Sequence, residues 1–148
     1  MTVTLQQTLL APDTHPKVMA DCMTLIQEEV SGKSGLSGTA VKVAYKTVIT
    51  FSPGHIHYMV EVLVPLMADQ LEPYWTDFTE SGGEEFGDYL VKRGGEVSEA
   101  LLSVTDARAA ASERPTIVKA YRAVRGHASK HVEAALPRVG ALVQKYAA

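Results

Sequence analysis

The sequence predicts an all-α fold, and three observations lead to that class. Apolar side chains recur at spacings of three and four residues through most of the chain, which is the period of an amphipathic helix. No segment alternates apolar and polar residues with a period of two. Asn is absent, so hairpin turns of the Asn-Gly type do not occur. We therefore predict one domain over residues 1–148, a single bundle of about six or seven helices.

The first half of the chain carries clear signals for where helices begin. Thr14 and Pro16 suit the start of a helix that continues to about Val30. Residues 31–38 consist only of Ser, Gly, Lys and Leu, which predicts a loop, and Ser37 is suited to cap the next helix. Residues 52–54, Ser-Pro-Gly, predict a break and a new start. The helix that follows is apolar on more than one face, which predicts a central position, and Pro65 predicts a kink in it.

The second half is less regular at first and then helical again. A short helix is predicted near residues 84–92, ended by the glycines at 94 and 95. An amphipathic helix follows over 95–112, and another begins at Pro115. The last predicted helix contains Val132, Leu136 and Val139, and it is interrupted by Pro137.

An internal repeat is the most specific pattern in the sequence. Residues at six positions recur 72 positions later: Gly54, His55, Val60, Glu61, Pro65 and Tyr74 return as Gly126, His127, Val132, Glu133, Pro137 and Tyr146. Just upstream, Ala44-Tyr45 returns as Ala120-Tyr121 at an offset of 76. The pattern predicts two helix–turn–helix units, residues 37–76 and 113–148, packed about an approximate two-fold axis.

Charge is distributed unevenly along the chain, whose net charge is −3. Residues 47–91 contain eight acidic side chains and no Lys or Arg, whereas residues 92–148 contain ten basic and five acidic ones. The overall acidity, with a pI of about 5.9, argues against nucleic-acid binding. The asymmetry is typical either of solvated helix faces or of surfaces that attract a charged partner.

The cellular setting is predicted from Cys22 and from the hydropathy pattern. Cys22 is the single cysteine, so no internal disulfide can form, and a reducing compartment is expected. The longest apolar stretch, residues 56–71, is too short and too interrupted to cross a bilayer. The N-terminus lacks the pattern of a secretory signal. These observations predict a cytoplasmic protein that does not bind membranes.

Four histidines are the residues best suited to chemistry, because histidine titrates near neutral pH and binds metals. His57 and Glu61 are four residues apart, as are His127 and His131, so each pair shares a helix face. If the two-fold axis brings the pairs together, His55, His57, His127 and His131 form a candidate metal site. The same region, with Glu61 and Glu133, is the basis for an alternative function as a metal-dependent or acid–base enzyme. No catalytic residue and no other cofactor is indicated.

An aromatic and acidic segment near residue 75 predicts a protein-binding surface. Tyr74, Trp75, Asp77 and Phe78 lie together, and Trp and Tyr are favoured at the energetic centres of interfaces. The alternative is that Trp75 and Phe78 cover one end of the bundle. A third function, a carrier of a small apolar ligand, is suggested by the face that bears Met59, Met67 and Leu71.

Several motifs resemble one protein family along nearly the whole chain. They are Lys33-Ser-Gly-Leu-Ser-Gly38, Leu71-Glu-Pro-Tyr-Trp75, Thr105-Asp-Ala-Arg-Ala109 and Ala134-Ala-Leu-Pro-Arg138. Together they resemble a family of short, all-helical actinobacterial proteins of unknown function. The resemblance implies an intracellular bacterial protein and assigns no activity. The function predicted from the sequence is therefore a non-enzymatic interaction or structural module, with a protein partner or a second copy as its target.

Overall fold

The structure, a computed structural model, describes residues 3–33 and 35–148, which form seven helices and no strand. The helices are α1 Leu5–Leu9, α2 His15–Ser31, α3 Gly35–Phe51, α4 His55–Ser81, α5 Phe86–Val91, α6 Gly94–Ala111 and α7 Pro115–Ala147. The all-α prediction and its helix number are confirmed.

Local sequence explains several helix ends. Thr4 caps α1: its hydroxyl accepts from the backbone N–H of Gln7 at 3.1 Å, and its own N–H donates to the Gln7 side chain at 3.0 Å. Gly54 precedes α4 with φ of 82°, and Gly82 follows it with φ of 72°. Both values lie in the left-handed region that glycine adopts without a steric penalty. The chain can therefore turn sharply at both ends of α4.

The two long helices organise the bundle. α7 has 33 residues and a length of about 50 Å, and it packs against α1, α2, α3, α5 and α6. α4 has 27 residues and contacts the same five helices. The hydrophobic core draws on six of the helices, and its most deeply buried members include Leu5, Val18, Phe86, Leu90, Val97 and Leu136.

The helix–turn–helix predicted for residues 113–148 is wrong, because α7 is continuous through this range. In the first unit, residues 52–54 separate α3 from α4. The second unit lacks the Pro that precedes Gly54, and its counterpart Gly126 lies inside α7 without a positive φ. The offset changes from 76 to 72 because the second copy is four residues shorter between Val124 and Gly126 than the first copy is between Val48 and Gly54. The two-fold packing of equal units is therefore not observed.

Two smaller expectations also differ from the structure. The loop predicted over residues 31–38 is shorter, because α3 already begins at Gly35; Ser34 lies outside the described residues. α7 continues through Pro137, where an interruption was expected, and α4 continues without a break through both Pro65 and Pro73. A proline removes one hydrogen bond from a helix, and in helices this long the packing on neighbouring helices offsets that loss.

Across the described residues, none of the seven helices combines the length and the apolar character needed to cross a membrane.

Candidate functional site, an apolar cavity between the helices

A cavity of about 440 Å³ lies between the helices of the bundle. Almost all of its lining is apolar, made of aliphatic side chains with one methionine and one cysteine. Six helices contribute; representative lining residues are Leu9 on α1, Ile26 on α2, Val41 on α3, Met67 on α4, Leu102 on α6 and Val132 on α7. A concave apolar space of this size with a few polar groups is the usual form of a small-molecule site.

Among the lining residues that the structure describes, four carry a polar or charged side chain: Glu29, Lys33, Thr105 and His131. Three of these already have partners. Lys33 Nζ donates to Glu29 Oε2 at 3.1 Å, and the Thr105 hydroxyl lies 2.7 Å from the hydroxyl of Tyr121. His131 differs, because its Nε2 is buried without a hydrogen-bond partner among the described residues. A buried polar atom without a partner is uncommon in a folded protein.

The environment of His131 favours a neutral imidazole. Burial lowers the pKa of its side chain, and the positive charge of Lys33 lowers that pKa further. A neutral imidazole has one nitrogen that donates and one that accepts. The His131 side chain is therefore expected to be uncharged rather than a cation.

A polar surface cleft of about 340 Å³ adjoins the cavity. The two spaces share Glu29 and Lys33, whose side chains are 16% and 11% exposed. On the cleft side, Arg138 donates to Glu29 Oε1 at 3.2 Å, and Arg138 Nε lies 3.5 Å from Glu28 Oε2. The Lys33–Glu29 pair thus lies at the boundary between a charged cleft and an apolar interior.

A second polar network ties α6 to α7 beside Thr105. Asp106 accepts from the Tyr121 hydroxyl at 2.5 Å and from Arg125 at 2.7 and 3.0 Å. Arg125 also reaches Glu99 at 3.3 Å. The hydrogen bonds from Arg125 and Tyr121 lower the pKa of Asp106, and burial, with the Asp106 hydrogen bond, raises the pKa of Tyr121 to about 12. The network links α6 to α7 beside the cavity.

The structure does not bring the four predicted histidine ligands together. His55 Nδ1 accepts from Arg114 at 2.9 Å, at the start of α7, while His131 lies 17 residues further along that helix, or about 25 Å. His57 and His127 are exposed. Within residues 3–33 and 35–148, no group of three or more His, Cys, Asp or Glu side chains is arranged to hold a metal ion.

The aromatic segment near residue 75 packs largely inward. Phe78 is 4% exposed, and the half-buried Trp75 packs edge-on against Phe86 with 5.0 Å between ring centroids. Tyr74 is also half-buried, and its hydroxyl donates to Glu96 at 2.5 Å. Asp77 is exposed and accepts from Tyr89 at 2.5 Å. Phe78 therefore belongs to the core, and it offers no surface to a partner.

With the cavity and its polar groups defined, comparison with known proteins places the chain in a family. A family of unknown function, DUF6918, has a model that matches residues 5–147. The chain belongs to DUF6918. No curated protein and no solved structure shows significant similarity to it. The family match covers all seven helices and every residue that lines the cavity.

Part of this cavity could be predicted from the sequence. Met67 and Leu71, on the face suggested for an apolar ligand, line the cavity, whereas Met59 does not. His131 was predicted to bind a metal, and its position in an apolar wall was missed. The available signal was weak: the small residues Ala128 and Ala135 flank His131 on one side of α7, where larger side chains would fill the interior.

Proposed function

We propose that this protein binds a small, predominantly apolar molecule in the cavity between its helices. The observation that carries the proposal is the cavity itself. Protein interiors are packed to crystal-like density, with few voids larger than one water molecule. A space of about 440 Å³ that is partly open to solvent and lined almost entirely by aliphatic side chains is exceptional, and it suits an apolar ligand.

The apolar lining of the cavity supports this function. Moving apolar surface out of water is favourable by roughly 25 cal/mol per Å², so an apolar molecule that covers this lining gains binding free energy. Such a ligand also stabilises the fold by mass action.

The cavity volume sets the size of the ligand. An engineered apolar cavity of about 150 Å³ accommodates benzene, which has six carbon atoms. By that ratio, about 440 Å³ corresponds to a molecule of roughly 18 non-hydrogen atoms. Molecules of this size include medium- to long-chain aliphatic compounds. The proposal includes a cytoplasmic setting, which the free thiol of Cys22 supports.

The proposal is tested by filling the cavity. Ala128 lines it, whereas Ala123, on the same helix, is exposed. We expect the wild-type protein to bind the fluorescent apolar probe N-phenyl-1-naphthylamine, Ala128→Phe to bind it at least tenfold more weakly, and the matched Ala123→Phe to bind it like the wild type. Native mass spectrometry of protein purified from its own organism then identifies the natural ligand. Equal probe binding by both variants would contradict the proposal.

A second candidate function, binding of a protein partner, is favoured by the outer face of α3. Leu36, Val43 and Phe51 share that face and are 94%, 59% and 69% exposed. Between Val30 and Val60 the chain contains three lysines and no acidic residue. An apolar face with basic neighbours fits a partner with an acidic surface rather than a second copy of the same basic face.

This second candidate is tested by introducing a negative charge at Val43. Val43→Glu leaves the cavity lining unchanged, because Val43 does not line it. Cross-linking in cells followed by mass spectrometry is expected to recover an acidic partner with the wild type and with the control Ser103→Glu, at an exposed site on α6, and to lose it with Val43→Glu. Recovery of the same proteins by all three would exclude this face.

A further inference from the structure

The shape of the cavity indicates which class of molecule it takes, an inference that rests on the proposed function. Two of the helices that line the cavity, α2 and α7, run antiparallel to each other. Lys145 Nζ lies 2.9 Å from Asp21 Oδ2 near one end of the pair, and Lys33 Nζ lies 3.5 Å from the carbonyl oxygen of His131 near the other. The two helices are therefore side by side over this interval, and the space beside them extends in the same direction.

The lining of the cavity follows this alignment. Lining residues occur throughout 18–30 on α2 and 132–143 on α7, about 17–18 Å along each helix, and Val124 and Ala128 lengthen the α7 wall. An extended chain advances about 1.2 Å per bond, as in a polypeptide, so about 15 bonds span this length. The cavity volume corresponds to roughly 18 non-hydrogen atoms, nearly the same number. One extended chain therefore accounts for both the length and the volume.

One end of the cavity is closed and purely aliphatic. Leu9, Val18, Leu71 and Val143 line it there, and each of them is at most 4% exposed. All four belong to one cluster of core residues. A polar group placed among these side chains would lose its hydration without gaining a hydrogen bond. This end therefore accepts only the hydrocarbon part of a ligand.

The side walls also offer no hydrogen bond to a ligand. Almost none of the surface that faces the cavity is polar. The charges of Lys33 and Glu29 are paired with each other. The Thr105 hydroxyl bonds to that of Tyr121, and Nε2 of His131 is closed to solvent. A hydroxyl or carboxyl group in the middle of a ligand would find no partner here, so the buried part of the ligand is an unsubstituted chain.

The ion pair of Lys33 and Glu29 lies away from the closed end, where the cavity adjoins the charged cleft. In the cleft, Arg138 lies 3.2 Å from Glu29 and 3.5 Å from Glu28. Arg138 and Glu28 are about half exposed, so a polar group that reaches the cleft remains in contact with water. The polar end of a ligand therefore lies at the cleft.

Lys130 adds a positive charge at the same end. It is exposed and precedes Ala134, a residue of the cleft wall, by one helical turn. Its charge lowers the pKa of His131, and it forms no ion pair among the described residues. The side chain of Glu133, the nearest acidic residue in sequence, lies beside Gly94 of α6. Three cations and two anions therefore surround the cleft, a net charge of +1 that favours an anionic end group over a cationic one.

We propose that the ligand is a straight-chain fatty acid of about 16 carbon atoms. Its methyl end lies at the closed end of the cavity, its chain runs beside α2 and α7, and its carboxylate is hydrated at the cleft near Lys130. Chain length is the main determinant of affinity, and the charge of Lys130 adds a smaller preference for an anion.

The dependence of affinity on chain length is the first test, measured by displacing N-phenyl-1-naphthylamine from the wild type at pH 8. Each added methylene group is expected to tighten binding by up to about fourfold until the chain fills the cavity. Hexadecanoate should therefore bind at least tenfold more tightly than dodecanoate, and eicosanoate no more tightly than hexadecanoate. Equal binding of dodecanoate and hexadecanoate, or a further gain with eicosanoate, would overturn the proposal.

A polar group within the chain tests the apolar walls. 12-Hydroxyoctadecanoate is expected to bind at least tenfold more weakly than octadecanoate, because its hydroxyl finds no partner in the cavity. Equal binding of these two compounds would show that the chain does not lie in the apolar space, and the proposal would fail.

The end group is tested with three compounds of equal chain length: dodecanoate, 1-dodecanol and dodecyltrimethylammonium. Dodecanoate is expected to bind about two- to fivefold more tightly than the cation, the range that an exposed charge gives. Lys130→Glu should weaken dodecanoate by a similar factor and leave dodecanol unchanged, whereas the control Lys119→Glu, at an exposed site on the same helix, should keep the wild-type affinity. Tighter binding of the cation, or an unchanged affinity of Lys130→Glu for dodecanoate, would contradict the assigned end group.

The orientation of the chain is tested at the closed end. Ala68 lines the cavity one turn before Leu71 and is 2% exposed. Ala68→Leu is expected to shorten the best-bound chain by about three carbon atoms, because the added side chain takes up that space. The control Gln70→Leu, at an exposed site on the same helix, should leave the best-bound length unchanged. The same best-bound length in all three proteins would overturn the orientation.

A measurement on the wild type keeps this test independent of how the variants fold. The terminal methyl group of ¹³C-labelled hexadecanoate is expected to show nuclear Overhauser effects to Leu71 and Val143, and such effects to Lys33 instead would overturn the proposal. If N-phenyl-1-naphthylamine itself does not bind, the proposed function fails. If the probe binds and fatty acids displace it without regard to chain length, only the present proposal fails.

Discussion

Gly140 of α7 lies directly against the backbone of Gly87 in α5, so closely that a Cβ atom on Gly140 would overlap the Cα and N atoms of Gly87. Both glycines are at the crossing of the two helices, and Gly140 is buried. A Cβ on Gly87 would in turn lie 3.0 Å from the carbonyl oxygen of Pro137. The two helices approach backbone to backbone because neither residue has a side chain.

Replacement of Gly140 is therefore expected to force α5 and α7 apart. Gly140→Ala should lower the free energy of unfolding by roughly 1–3 kcal/mol, the usual range for an overpacked core contact. Gly126→Ala is the matched control on the same helix, because nothing lies within 4 Å of its added Cβ. It should stabilise the protein by up to about 1 kcal/mol through helix propensity. Urea denaturation of both variants measures the difference, and a neutral Gly140→Ala would contradict the close approach.

Two histidines should make stability depend on pH. Burial lowers the pKa of His131, as does the charge of Lys33; burial also lowers the pKa of His55, together with the charge of Arg114. The unfolded chain therefore binds more protons than the folded protein as the pH falls below about 6.5. The free energy of unfolding should therefore be larger at pH 7.5 than at pH 5.5.

The variant His131→Leu separates this effect from other titrations. Lys33 from α2 and Lys130 and His127 from α7 are the charged or titratable groups that act on His131. The variant should lose less stability than the wild type between pH 7.5 and pH 5.5, because its side chain does not titrate. His57→Leu, at an exposed site on α4, serves as the comparison. An unchanged pH dependence in His131→Leu would show that its imidazole titrates at its ordinary pKa.

Asp106 is expected to stabilise the packing of α6 on α7. Its carboxylate accepts from Tyr121 and Arg125, and these hydrogen bonds lower its pKa. Asp106→Asn should therefore lower the free energy of unfolding by about 1 kcal/mol near neutral pH. The pKa of Asp106 is lower in the folded protein than its unfolded value near 3.8, so its carboxylate stabilises the fold at pH values above 3.8. This contribution is lost as the pH falls through the lower, folded pKa. The control is Asp88→Asn, an exposed carboxylate, and an equal effect of both substitutions in thermal melts would contradict this role for Asp106.

Cys22 should react slowly with thiol reagents, and ligands should slow it further. Burial raises the pKa of its thiol to about 11, from 9.0, so at a given pH the reactive thiolate is about a hundredfold rarer. Because Cys22 lines the cavity, a bound apolar molecule also blocks access. Its reaction with Ellman's reagent at pH 8 should be far slower than that of unfolded protein, and slower again with dodecanol. A rate equal to that of the unfolded chain would place Cys22 outside the interior.

The fold class was predictable because helical periodicity is a local property of the sequence. The starts of α2, α4 and α7 also followed from local residues, such as Pro16, Gly54 and Pro115. Continuity of α7 was not predictable in the same way. Gly126 and Pro137 both favour a break, and only contacts with five other helices outweigh them.

The candidate site was harder to predict from the sequence, because a cavity depends on how several helices pack together. A sequence shows which side chains are apolar, as for Met67 and Leu71, but it does not show whether their combined volume fills the space between helices. The sequence predicted a metal ligand at His131, because its spacing from His127 matches that of metal ligands on a helix. What distinguishes His131 is that its Nε2 is buried without a partner within the described residues, a property that only the three-dimensional structure reveals.

The position of α7 in the chain has a consequence for synthesis on the ribosome. α7 follows the other six helices in sequence, and five of them pack against it. While residues before Pro115 emerge, their apolar faces cannot yet bury themselves against α7. A nascent chain that has produced six helices therefore exposes side chains such as Phe86 and Val97, which are fully buried afterwards. Until α7 has been synthesised, this exposed apolar surface makes the nascent chain prone to aggregation.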